Sequence, residues 1–183
     1  MFRAIKCAAI VQVLLVAGCA NFTADRYSPQ VGNLEVLRKV GSKPVGVAAF
    51  SSTQKADDGQ NVSILKCRGA PISPPDNATY AKYVQNALIN ELQMGSLYDS
   101  SSPRQLSGNL DFIDLDSING NWRIQLTVKS NNGAQYTVED RYKFRSNVVG
   151  DFACNQTSNA LMPAVQNIIS KVIQHAQFSS LLR

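Results

Sequence analysis

The chain has 183 residues, with 18 Lys and Arg against 13 Asp and Glu for a formal charge of +5, and 44% of it is hydrophobic. That length suits one folded unit with a substantial core, while the weak and scattered positive charge excludes the dense basic stripe expected of a nucleic-acid binder.

In chain order, the first element is a secretory pattern: Arg3 and Lys6, then an apolar run over 7–17. The run is well short of the ~20 apolar residues that a membrane-spanning helix needs. It ends in Val16-Ala17-Gly18-Cys19, which resembles the lipobox of diacylated bacterial lipoproteins. The resemblance implies cleavage after Gly18, attachment of a diacylglycerol to Cys19 and further acylation of the new amino terminus. Three acyl chains would anchor firmly, because one chain binds only marginally and each buried methylene contributes about 0.8 kcal/mol. Ala20 stands where inner-membrane lipoproteins of the enteric type carry Asp, which by the same resemblance favours the outer membrane, and the domain is expected to face the periplasm. Residues 1–18 are thus expected to be a signal peptide, 19–43 a lipidated tether, and 44–183 a single domain. Removing 1–18 takes Arg3 and Lys6 with it and leaves a formal balance of +3.

With Cys7 in the signal and Cys19 assigned to lipid, Cys67 and Cys154 remain as one pair in an oxidising compartment. A disulfide between them is the expected reading, with two buried free thiols as its alternative. Such a closure is worth roughly 4 to 5 kcal/mol in the loop-entropy account.

Residues 20–43 mix polar side chains with Pro29, Gly32 and Gly41, without a sustained period, although Leu34, Val36 and Leu37 could dock as a short element. The run 44–50 reads as a buried strand, and 62–67 as a weaker second strand after a turn at Asp57-Asp58-Gly59. A Pro-rich connection over 69–75 then delivers Asp76 or Asn77 as a helix cap. Over 78–94, Tyr80, Tyr83, Val84, Ala87, Leu88 and Leu92 share one helical face, with Lys82, Gln85, Asn86 and Gln93 opposite and Gly95 as the stop.

Residues 106–145 read as a three-stranded antiparallel meander. Trp122, Ile124, Leu126 and Val128 alternate with Arg123, Gln125, Thr127 and Lys129, and the Asn- and Gly-rich segments 119–121 and 131–133 supply turns. A three-residue loop over 131–133 sets Val128 opposite Tyr136, Leu126 opposite Val138 and Arg123 opposite Arg141. Leu110 and Phe112 share a parity that Ile113 and Leu115 break, so a bulge is expected near there. From about Thr157, Leu161, Val165, Ile168, Ile169, Val172 and Ile173 form a helical face, with Pro163 either in its first turn or at a kink. A one-sided sheet and two apolar-faced helices make a two-layer α+β sandwich.

Chemistry is sparse. The sole histidine, His175, has no ligand neighbours at metal spacing and reads as a surface residue, and neither a Gly-rich phosphate loop nor a G-x-S-x-G elbow occurs. No metal, cofactor or enzymatic activity is expected. Asp111, Asp114 and Asp116 could be imagined as paired carboxylates, but alternation separates Asp111 from the other two unless a bulge intervenes, and solvation of the outer face is the preferred reading. The one surface feature is a basic strip of Arg123, Arg141 and Lys143, extended by Arg145, whose like charges need an anion or a neighbouring acid such as Glu139. Either it contacts lipopolysaccharide phosphates or an acidic partner protein, or it is a solvated sheet face.

In element order the chain resembles small outer-membrane lipoproteins of the YajG-like and LptE-like kind, with a lipobox, a helix on an antiparallel sheet and a C-terminal helix. The implied function is a structural or accessory role in envelope assembly or transport, exercised by binding an envelope protein. The alternative is a module that binds lipid or lipopolysaccharide. The implied partners are the membrane, through the lipid, and an envelope component, with no nucleic acid.

Overall fold

A computed structural model of the protein describes residues 21–40 and 43–183. Gly18 and Cys19 therefore lie outside the described residues. The elements are β1 (Phe22–Thr23), α1 (Val31–Val40), β2 (Gly46–Val47), β3 (Ser51–Ser52), β4 (Leu65–Cys67), β5 (Ala70–Ser73), α2 (Tyr80–Met94), β6 (Gln105–Asp116), β7 (Asn121–Ser130), β8 (Gln135–Lys143), α3 (Gly150–Asn159), α4 (Leu161–Gln174) and α5 (Phe178–Leu181).

The expected α+β sandwich is present. β6, β7 and β8 form the antiparallel meander, in the register set by the 131–133 loop, with Leu126 opposite Val138 and Arg123 opposite Arg141. The bulge falls between Leu110 and Phe112. The inner sheet face carries Leu110, Ile113, Trp122, Ile124 and Leu126, and packs on Leu88 and Leu92 of α2 and on Val165, Ile169 and Val172 of α4, all almost fully buried in one cluster. Burying each such side chain contributes about 1.5 to 3 kcal/mol before the entropy of ordering it is counted.

The far side of β6 departs from the expected antiparallel sheet. The run 44–50 is not one strand: β2 pairs with Gln105 and Leu106, β3 with Asn109 and Leu110, and both pairings are parallel. Between them Phe50 arches over Gly108, where a Cβ would come within 2.5 Å of the Phe50 ring. The bare backbone of Gly108 is what admits the ring.

Of the segment expected to be a tether, residues 21–40 are folded. β1 pairs in parallel with β5, Leu37 of α1 is buried, and α1 packs on α2 and α4. The polar residues that hide this segment are those that hold it. The Tyr27 hydroxyl donates to Glu91 Oε1 at 2.5 Å, the Gln30 amide donates to the same oxygen at 3.0 Å, and Gln166 Nε2 donates to the Ser28 carbonyl at 2.6 Å. Burial, and then the bond to Glu91, push the Tyr27 phenol well above the ordinary tyrosine range.

The Pro-rich connection also holds a strand, since β5 is the centre of a small sheet in the order β1-β5-β4. Neither Asp76 nor Asn77 caps α2. Both adopt positive φ, and the cap is Thr79, whose hydroxyl accepts from the Lys82 amide at 3.1 Å. Thr79→Ala should destabilise the fold by about 1 kcal/mol, read as a lower urea midpoint with an unchanged slope. At the other end of α2 Gly95 is the C-terminal cap, as expected; the left-handed residue is the next one, Ser96, and the Leu97 amide closes onto the Leu92 carbonyl. Gly95 is needed for a different reason, because a Cβ there would sit 2.9 Å from the Leu37 side chain.

The C-terminal helical region begins earlier than expected, with α3. Ala160 separates α3 from α4, and Pro163 lies in the first turn of α4. Cys67 and Cys154 form a disulfide that joins β4 to α3, with Cα atoms 5.6 Å apart. Gln85, expected to face solvent, is buried and donates to the Ala48 carbonyl at 3.0 Å. Among the described residues no helix is long and apolar enough to cross a membrane.

Candidate functional site: a cationic groove on the outer sheet face

The basic strip becomes a groove where three chain segments meet. β6 and β7 turn over 117–120, the chain after β8 runs past that turn, and the β4–β5 hairpin closes the side. Gly120 is required at the crossing: its φ is +65° and a Cβ would come within 2.2 Å of the Phe144 carbonyl oxygen. Arg68, at the tip of the hairpin, clamps the three together. Its guanidinium donates to the carbonyls of Val148 at 2.7 Å, Asn147 at 3.0 Å and Ser117 at 3.4 Å.

The resulting open groove, of about 690 Å³, takes its charge from Lys66, Arg123, Arg141, Lys143, Asp114 and Asp116. Arg123 stands opposite Arg141 as expected, but the acid that relieves it is Asp114 at 2.6 Å, not Glu139. The bulge at Asp111 is the reason: it restores the parity of β6 so that Asp114 lies directly across from Arg123. Phe112 is turned to the same face, with the Arg123 guanidinium 5.1 Å from its ring centroid. Glu139 instead faces Gln125 and lends its backbone carbonyl to Lys171.

The carboxylates are engaged within the fold. Asp116 accepts from the amides of Ile118 and Asn119 and from the Asn119 side chain. These bonds, led by the Asn119 amide, hold its carboxyl below the usual aspartate range. Asp111 accepts from Thr127 Oγ1 and Asn109 Nδ2, both at 2.6 Å. Lys66, Arg141 and Lys143 are left lining the groove, with Arg123 held by Asp114. Lys66 was missed in the sequence, although the step from exposed Lys66 to buried Cys67 in a strand is a readable signal. Arg145 is exposed further along the chain and does not line the groove.

His175 is not a plain surface residue. It caps α4, stacks on Tyr136 at 4.1 Å between ring centroids, and accepts from the Gln177 amide. Among the described residues no group of three or more His, Cys, Asp or Glu side chains is placed to hold a metal ion.

No known protein family and no curated protein matches the sequence. Among solved structures, a protein of Caulobacter crescentus CB15, named provisionally as a lipoprotein, is similar to this chain at 11% identity and a TM-score of 0.36. The match covers 83% of this chain and 96% of that one.

Proposed function

We propose that the protein is a lipid-anchored accessory component of a bacterial envelope, acylated at Cys19 and held at the outer membrane facing the periplasm, which binds an anionic envelope component through the cationic groove. The observation that carries this reading is the convergence of Lys66, Arg141 and Lys143 on one groove whose carboxylates are already bonded to Arg123 or to their own turn. Like charges gathered on a sheet are unfavourable without a counterion, so an anion bound there would offset a cost that the fold otherwise bears. The role is binding, not catalysis, because Asp111, Asp114 and Asp116 each serve structural bonds. Recognition at the surface is favoured over enclosure of a lipid, since the seam between helices and sheet is filled by Leu88, Leu92, Leu110, Leu126 and Val165, each fully buried.

Two measurements test the reading. Cys19→Ser should abolish palmitate labelling, and undiminished labelling in that variant overturns the anchor. Arg141→Glu with Lys143→Glu should reduce crosslinked capture of the bound component from native envelopes, most visibly at low salt. Arg123 is better left alone, because its reversal would set it against Asp114. Capture that is unchanged in the folded double variant returns the groove to a solvated face.

A further inference from the structure

The two most exposed large apolar side chains among the described residues, Val148 and Ile118, lie beside the groove. Ile118 is 76% exposed and lines the groove, while Val148 is 90% exposed on the segment that Arg68 clamps against Ser117. Val149 and Phe152 follow, at 53% and 65% exposure, where the chain enters α3. The other exposed large apolar residues among the described ones are Val31 and Ile64, single side chains of the kind ordinary on a protein surface. Ile118 and Val148 stand beside the groove of Lys66, Arg141 and Lys143, and apolar tips flanked by cations suit the boundary between headgroups and acyl chains of an anionic bilayer.

The start of the described chain lies on the same side. Phe22 pairs with Ile72, so Asn21 sits level with Pro71, and Pro71 is paired with Lys66 of the groove. Two interstrand spacings of about 4.8 Å therefore put Asn21 roughly 10 Å from Lys66. Cys19 is two residues before Asn21, a reach of about 7 Å at most. With β1 taken into the small sheet, the link from anchor to fold is two residues long.

We infer that the Ile118 and Val148 tip, with Lys66, Arg141 and Lys143, rests on the anionic phospholipid leaflet that carries the Cys19 anchor. The inference builds on the lipid-anchor reading and names the groove's anionic component as phospholipid headgroups. Apolar contact and headgroup charge act together, since a short anchor link brings both to the surface at once.

The test uses the full lipidated chain carrying Val148→Trp, reconstituted into vesicles of phosphatidylcholine with or without phosphatidylglycerol, the lipids being brominated to quench nearby tryptophan. Trp122 is fully buried and gives a constant background. Strong quenching in the phosphatidylglycerol vesicles, lost when Lys66→Gln, Arg141→Gln and Lys143→Gln are added while the protein still floats with the vesicles, is the expected result. From about fivefold per cation, the triple change should weaken surface contact by roughly a hundredfold. Flotation without quenching overturns the inference and leaves the anchor intact. Quenching that appears only when lipopolysaccharide is added assigns the groove to that lipid and also overturns it. Failure of the chain to float overturns the anchor reading and, with it, the leaflet contact.

Discussion

Removing the Cys67–Cys154 disulfide, by Cys67→Ser with Cys154→Ser, is expected to lower the free energy of unfolding by roughly 4 to 5 kcal/mol. The two cysteines are 87 positions apart, and both are buried. The link is the covalent tie between the small β1-β5-β4 sheet and α3, so without it the unfolded chain regains the freedom of a loop nearly half its length. Domains of this size are stable by only about 5 to 15 kcal/mol. A loss that large should appear as a strongly reduced urea midpoint, and reduction of the wild-type protein should reproduce it. A midpoint within experimental error of the oxidised protein would show that strand and helix packing alone hold the small sheet in place.

Trp122→Ala should cost about 3 to 5 kcal/mol, the range for emptying an aromatic site in a closed core. The indole is fully buried, lies 6.1 Å from the Tyr80 ring, and donates from Nε1 to the Thr157 carbonyl at 2.9 Å. It therefore touches α2 and bonds α3 from a position on β7. Trp122→Phe separates the two contributions: the ring volume is largely kept, while the Thr157 carbonyl loses its donor, at a cost of about 1 to 3 kcal/mol. Equal destabilisation in the two variants would assign the whole effect to the hydrogen bond. Far-ultraviolet circular dichroism must follow both unfolding curves, because Trp122 is the sole tryptophan.

The parts of the fold that were legible in the sequence are those governed by local chemistry. Asn131, Asn132 and Gly133 fix a loop length, and from it the pairing of Arg123 with Arg141 follows by counting. The broken parity of Leu110 and Ile113 likewise announces the bulge. What stayed hidden depends on distant partners. Ser51 and Ser52 carry no strand pattern of their own and pair because Asn109 and Leu110 offer an edge. β5 contains Pro71, which speaks against a strand until β1 and β4 flank it. α3 is rich in Asn, Gln, Ser and Thr, and its burial rests on Cys154, Ala153 and the bond to Trp122.

The candidate site divides in the same way. Arg123, Arg141 and Lys143 share a face by alternation alone, whereas Lys66 joins them from another sheet. Asp114 replaces Glu139 as the partner of Arg123 because one unpaired residue, Asp111, shifts the parity of everything after it.

The order in which the chain is delivered bears on how it folds. The β6–β7–β8 meander can form from neighbours, but its apolar face is closed by α4, and the last turn seats Phe178 and Leu181 in the same core. The Tyr136 hydroxyl finds its acceptor only at Val172, and Asn132 reaches the Ser180 and Arg183 carbonyls. β2 and β3 must likewise wait for β6, some sixty positions later, and such distant pairings form slowly. A chain emerging amino terminus first thus keeps part of the sheet face uncovered until α4 and α5 arrive. Emptying the Phe178 and Leu181 sites would open the core and leave a client for chaperones and proteases.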